Sequence, residues 1–370
     1  MLKIMLIAGA RPNFMKIAPI VRAFDAYGDK ITYKIVHTGQ HYDANMSDIF
    51  FDKLGIRKPD YHLEAGGGTH SQQTAKIMIK FEEICETDTP DLVMVVGDVN
   101  STLACSIVAK KMHIKVAHVE AGLRSFDLDM PEEINRMVTD AISDLFFVTE
   151  EQGIANLEKE GKPDTRVHFV GHVMIDNLYY QVSKLDQMDP ARLAHNTYKA
   201  THPEYGVVTL HRPSNVDHKQ TLNVDDKQTL ERIFNTLDQI SQKLPLIFPI
   251  HPRTRKNMES FGIQPPKNIT LTPPLSYMEF LNLWKDSKLV LTDSGGLQEE
   301  TTALCIPCLT IRENTERPIT ITQGTNELVG ISEEKTLNAF EQIMKGSWKT
   351  GQKPQFWDGH AAERIVNIIK

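Results

Sequence analysis

LVLTDSGGLQEE, residues 289–300, begins as an apolar run, turns on Ser294-Gly295-Gly296, and is then expected to place two adjacent carboxylates, Glu299 and Glu300, in the first turn of a helix. A strand, a glycine turn and a helix in immediate succession are the repeating unit of a parallel sheet. The unit recurs on both sides of this stretch. GVVTLHR, LIFPIHP, ITLTPPL and PCLTIR are further short apolar runs of the second half, and KIMLIAG, YKIVHTG, DLVMVVGD, KVAHVEAG and LFFVTE set the same rhythm in the first half. Most end in Gly or a polar residue, with helix-length segments between them. The pattern predicts an α/β chain of two Rossmann-like, doubly wound domains, the rhythm restarting after the polar stretch 186–204. A length of 370 residues fits that division, since one core rarely organises so long a chain.

Two such sheets should face a cleft, and ligands of doubly wound sheets bind beyond the carboxyl ends of the strands. Arg11, His37, Asp98, Glu120, His211, His251 and Ser294 all fall at such ends. The formal charge is −7 with acids and bases mixed and no block of Lys or Arg, which argues against nucleic acid and anionic membrane as partners. The N-terminal run IMLIAGA is far shorter than the roughly 20 residues of a membrane helix and reads as the first strand of a cytoplasmic protein. Cys305 and Cys308 have the spacing of a redox or zinc pair, but no second Cys or His pair accompanies them, so both are read as buried thiols. A tandem repeat, NVDHKQTL at 215–222 followed by NVDDKQTL at 223–230, offers two capping signals for one helix, and one copy is expected to bulge out as loop.

In LIAGARPNFMK a single Gly follows the strand, so the G-x-G-x-x-G fingerprint is missing and a nicotinamide cofactor is not supported. Arg11 and Lys16 are either phosphate-binding cations or solvated helix charges. The free N–H groups after Ser294-Gly295-Gly296 suit a phosphate, and a carboxylate one turn later suits ribose hydroxyls. A plainly capped helix with acids near its positive end is the alternative. Asp98 after LVMVVG, Glu120 after KVAHV and Glu132 after Pro131 are acids placed for proton transfer, or else caps and paired core acids. His211 and His251 end strands of the second half. No spacing argues for a metal, and no cofactor is expected.

Taken together, GARPNFMKIAP, GDVNSTLA, HVEAGLRS, PEEINR, TDSGGLQEE and TERP resemble, in this order, the motifs of the non-hydrolysing UDP-N-acetylglucosamine 2-epimerases. The resemblance implies two Rossmann-like domains similar to the B-type glycosyltransferases, with the last helix crossing back onto the first domain. The expected boundaries are 1–172 with 355–370, and 173–354. By position it makes Asp98, Glu120 and Glu132 the catalytic carboxylates and His211 a catalytic-site histidine. It puts Arg11, Lys16, His251, Ser294, Gly295, Gly296, Glu300 and Arg317 on UDP, with Glu300 on the ribose and Phe280 near the uracil. Gln40 and His41 match part of an activator site found in some members, whereas Asp43 stands where that pattern has Gln. GARPN and HRPSN replace the commoner GTRPE and HRREN.

The implied reaction is epimerisation of UDP-N-acetylglucosamine (UDP-GlcNAc) at carbon 2 by elimination and re-addition of UDP, supplying a polysaccharide precursor, in a cytoplasmic homodimer. A modified UDP-hexosamine as substrate and a hydrolysing epimerase are the nearest alternatives. A retaining glycosyltransferase and a catalytically silent nucleotide-sugar sensor are more distant ones.

Overall fold

The computed structural model describes residues 1–28, 30–39, 48–210 and 227–370, with the backbone alone at 48–50 and 192. The chain divides into two compact units, Met1–Tyr179 with Gln355–Lys370, and Tyr180–Pro354. The division falls inside the helix Val173–Asp186, a few residues after the boundary expected at its start.

The first unit is built on β1 (Leu2–Ala8), β2 (Ile31–His37), β3 (Tyr61–His62), β4 (Leu92–Val96), β5 (Lys115–Val119), β6 (Leu145–Val148) and β7 (Val167–Phe169). They form a parallel seven-stranded sheet in the order β3-β2-β1-β4-β5-β6-β7. The second unit has β8 (Gly206–Thr209), β9 (Leu246–Pro249), β10 (Ile269–Thr272), β11 (Leu289–Thr292), β12 (Cys308–Thr310) and β13 (Asn326–Leu328). Its parallel six-stranded sheet runs β10-β9-β8-β11-β12-β13. Helices cover both faces of such sheets, so central strands are apolar without alternation. All five residues of β4, LVMVV, are buried. In each unit the order reverses beside the first strand, β1 against β4 and β8 against β11, and that switch point is where a crevice opens outside the strand ends.

The segment after Pro354 belongs to the first unit. Ala361, Ala362, Ile365 and Val366 of the helix Ala361–Ile369 join the core formed by Phe14, Ile17 and Val21 of the helix Arg11–Tyr27. The Asp176 carboxylate accepts from the N–H groups of Ala361 at 3.1 Å and Ala362 at 2.7 Å, capping the returning helix. Trp357 is fully buried and donates its indole N–H to the Thr149 carbonyl at 3.2 Å. The backbone passes so close here that a Cβ on Gly171 would lie 2.0 Å from the Phe356 carbonyl oxygen, and Gly171 has φ +89°. Gly171→Ala therefore meets both a left-handed backbone and an immovable neighbour. We expect it to lower unfolding stability by about 2–4 kcal/mol, read as a lower urea midpoint.

Candidate active site

In the first unit the site starts at the end of β1. Asn13, three residues into the following helix, accepts the N–H groups of Gly9 at 3.1 Å and Ala10 at 2.9 Å, which fixes the strand-to-helix turn in place of a glycine-rich loop. Its amide also reaches the Val96 carbonyl of β4 at 3.4 Å, tying the two strands that flank the switch point. One turn further, the Lys16 ammonium lies 2.6 Å from Glu120 Oε2. Glu120 follows β5, is only 2% exposed, and adopts φ +70°. A left-handed conformation is uncommon for a residue with a Cβ, and at a strand end it marks a side chain whose direction is fixed by the surrounding fold.

Gly97, between β4 and Asp98, explains its own identity. A Cβ there would approach Lys16 Nζ to 2.9 Å and Glu120 Oε2 to 3.8 Å. The turn bearing Asp98 therefore lies directly against the Lys16–Glu120 pair. Asp98 accepts from Arg136 Nη1 at 2.6 Å, and its backbone carbonyl accepts from the Asn135 amide at 2.8 Å. Asn135 and Arg136 belong to the helix Pro131–Ile142, whose first turn carries Glu132 half-buried.

Its neighbour Glu133 has a different task. Fully buried, it accepts the N–H groups of Ser125 and Phe126, both at 3.0 Å, and pairs with Arg136 at 2.8 Å. Burial would raise its pKa, but the two N–H groups and the guanidinium prevail and hold it below the usual carboxylate range. Glu133 is thus a structural acid that fixes the loop before the helix and orients Arg136 toward Asp98.

In the second unit Ser294 stands at the N-cap position of the helix Gly295–Ala303 without a side-chain capping bond, and its N–H donates to Thr292 Oγ1 at 3.0 Å. Because the helix begins directly at Gly295, Glu299 and Glu300 fall past its first turn, a correction to their expected place. A Cβ on Gly296 would meet no protein atom within 4 Å, and neither Gly295 nor Gly296 has a positive φ. Neither packing nor backbone conformation demands glycine at 296, which leaves the open N–H groups accessible to an anion. Glu300, 6% exposed, accepts from the Tyr277 hydroxyl at 2.7 Å. Burial, and then the carboxylate, push the Tyr277 hydroxyl well above its ordinary pKa, so it remains a donor that anchors one oxygen of Glu300. Glu299 points elsewhere, into an ion pair with Arg317.

Thr315 ties the Arg317 loop to this helix. Its hydroxyl donates to Gln298 Oε1 at 2.7 Å and accepts the Arg317 N–H at 3.1 Å. His251 caps the helix Pro252–Phe261, its Nδ1 accepting the Arg253 N–H at 3.3 Å. Phe280 is half-buried on the helix Tyr277–Trp284, and Arg11 is exposed in the first turn of its helix.

His211, Gln40, His41 and the residues 215–226 of the tandem repeat lie outside the described residues. The last four residues of the second copy, 227–230, lie in the helix Lys227–Ser241. Of the CxxC cysteines, Cys308 is buried but Cys305 is exposed in a left-handed turn at φ +57°, which corrects the expectation of two buried thiols. The helix ending at Ala303 has to turn sharply into β12, and position 305 sits on the outside of that turn. Among the described residues no group of three His, Cys, Asp or Glu is arranged to hold a metal ion, and no helix is long and apolar enough to cross a membrane.

The model of the UDP-N-acetylglucosamine 2-epimerase family matches residues 25–370. The chain belongs to this family. Among its relatives, the UDP-N-acetylglucosamine 2-epimerase of Methanocaldococcus jannaschii is 41% identical across 100% of this chain and 99% of its own. The UDP-2,3-diacetamido-2,3-dideoxy-D-glucuronate 2-epimerase of Pseudomonas aeruginosa is 38% identical, again over 100% and 99%. The crystal structure of the M. jannaschii epimerase in complex with UDP-GlcNAc and UDP superimposes with a TM-score of 0.83 at 40% identity, covering 100% of this chain and 99% of that one. The Neisseria meningitidis epimerase bound to UDP-GlcNAc gives 0.85 at 28% identity over 100% and 99%. The fold of this epimerase-family chain is accordingly α/β with two Rossmann-like domains.

Proposed function

We propose that the protein interconverts UDP-GlcNAc and UDP-N-acetylmannosamine by eliminating and re-adding UDP. The observation that carries this reading is Glu120, a nearly buried carboxylate in a left-handed backbone, held by Lys16 beside the turn that bears Asp98. Family membership supplies the reaction class, and the first unit supplies a set of acids that a simple nucleotide-sugar binder has no use for.

The proton on carbon 2 of a 2-acetamido sugar is not acidic. Departure of UDP from carbon 1 gives that centre oxocarbenium character and makes the neighbouring proton removable. In the proposed elimination the C1–O electron pair leaves with UDP, a carboxylate takes the carbon-2 proton, and the C–H electrons form the double bond of 2-acetamidoglucal. Protonation of carbon 2 from the opposite face, with return of UDP to carbon 1, gives the epimer. Asp98, Glu120 and Glu132 are the proposed proton carriers and His211 a further site residue. The leaving diphosphate falls to the N–H groups at Ser294, Gly295 and Gly296 with Arg11, His251 and Arg317, the ribose to Glu300, and the uracil to the neighbourhood of Phe280. Lys16, assigned to UDP by the family resemblance, also has the Glu120 carboxylate as a near partner. The same reading places the enzyme in the cytoplasm as a homodimer, and Gln40 and His41 at an activator site.

The P. aeruginosa relative's name supports a second reading, a UDP-hexosamine modified at other carbons as the natural substrate. Incubating the protein with UDP-GlcNAc alone and resolving products by NMR decides among the readings. UDP-N-acetylmannosamine at equilibrium with substrate is expected. Free N-acetylmannosamine would indicate hydrolysis, and no turnover of UDP-GlcNAc would move the reading to a modified sugar or to binding without catalysis.

A further inference from the structure

The acid-bearing turns after β4 and β5 are linked by a buried pair that the proposed chemistry does not use directly. His118 on β5 and Asp140 on the helix Pro131–Ile142 are both fully buried. His118 Nε2 lies 2.8 Å from the carbonyl of Gly97, the residue before Asp98. His118 Nδ1 lies 2.6 Å from Asp140 Oδ1. The other oxygen of Asp140 accepts the Gly122 N–H at 3.0 Å, two residues after Glu120. Arg124 closes the arrangement, reaching Asp140 Oδ2 at 2.7 Å and Glu160 at 2.8 Å.

A backbone carbonyl can only accept, so His118 Nε2 donates to Gly97, and Nδ1 is the nitrogen that meets Asp140. Burial alone would raise the Asp140 pKa, but His118, Arg124 and the Gly122 N–H hold it below the usual range, consistent with a carboxylate. Such a network is costly to bury and needs every member satisfied.

We infer that His118 and Asp140 are positioning residues, a hydrogen-bonded brace that runs from the Gly97 carbonyl to the Gly122 N–H and so sets the spacing of Asp98 and Glu120. The inference rests on the proposed roles of those two acids. The turn after Glu120 has no slack of its own: a Cβ on Gly122 would lie 2.3 Å from the Gly153 carbonyl oxygen. With one side packed and the other braced, the left-handed Glu120 is determined from both directions. Displacing a reacting group by about 1 Å costs on the order of 10²-fold in rate.

The test compares two replacements of Asp140. In Asp140→Asn the amide oxygen can accept from Gly122 and Arg124 while its NH2 donates to His118 Nδ1, and Nε2 still donates to Gly97; the brace survives without the Asp140 charge. Asp140→Ala removes it. Turnover of UDP-GlcNAc per folded enzyme is expected to fall about 10²-fold in the Ala variant, with KM within about threefold of wild type, and to return to within about fivefold of wild type in the Asn variant. Phe81→Leu, a core change elsewhere in the unit, is the control for destabilisation alone and should keep wild-type kcat. An Ala variant that turns over normally, or an Asn variant as slow as Ala, overturns the brace while leaving the epimerase reading intact. A wild-type protein that does not epimerise overturns both. Should Asp140→Ala fail to fold, His118→Gln, whose amide can still donate to the Gly97 carbonyl, is expected to be at least about tenfold faster than His118→Leu, and equal rates would overturn the brace.

Discussion

Turnover of UDP-GlcNAc by the Glu120→Gln variant is expected to be about 10²–10⁴-fold below wild type, with UDP affinity largely unchanged. The amide keeps the size and shape of the carboxylate, so the packed turn is preserved while the proton acceptor is lost. It also removes the anion that Lys16 contacts at 2.6 Å, which leaves an ammonium without its counter-charge beside the Gly97 turn. UDP is assigned mainly to the second unit, so calorimetric titration should separate binding from chemistry. Asp98→Asn and Glu132→Gln are expected in the same range. Glu133→Gln makes the useful contrast, since that acid serves the loop at 125–126 and Arg136; its replacement should show first as lost stability. Wild-type rates in all of Glu120→Gln, Asp98→Asn and Glu132→Gln would make these acids structural.

Glu300→Ala should weaken UDP by about 1–3 kcal/mol, which is roughly 5- to 150-fold in Kd. The effect has two sources. The proposed hydrogen bonds from the ribose are lost, and the half-buried Tyr277 hydroxyl, held as a donor, loses its acceptor at 2.7 Å. Glu299, the adjacent acid, is engaged by Arg317, so Glu299→Ala should act through the Arg317 loop and the diphosphate. Calorimetry with uridine alongside UDP distinguishes them: Glu300→Ala should weaken both ligands, and Glu299→Ala chiefly UDP. Equal uridine affinity for wild type and Glu300→Ala would take Glu300 off the ribose.

The strands that define the two sheets were legible because each central strand is a continuous apolar run ending in Gly or a polar group. Three further strands, β3, β7 and β13, are edge strands of two or three residues, too short to carry a hydrophobic pattern. Position at strand ends was enough to single out Asp98, Glu120 and Ser294. Their partners were not legible, because Lys16 and Glu120 are 104 residues apart, Asp98 and Arg136 are 38, and Tyr277 and Glu300 are 23. Composition and spacing also could not separate Glu299 from Glu300 or Glu132 from Glu133. In each pair the helix turns neighbouring side chains by about 100°, so one acid meets an arginine while the other faces a different environment. Asn13 does the work that a second glycine does in dinucleotide folds, and its signal, an Asn three residues after the first residue past the strand's Gly, is too common to have been singled out.

In the proposed reaction carbon 2 loses its proton to a carboxylate and regains one from the other face. Turnover of protiated UDP-GlcNAc in deuterium oxide, followed by NMR at carbon 2, tests this most directly. UDP-N-acetylmannosamine formed early is expected to carry deuterium at carbon 2, with UDP and 2-acetamidoglucal accumulating slowly on prolonged incubation. Product that retains protium at carbon 2 throughout, with no release of 2-acetamidoglucal, would contradict it.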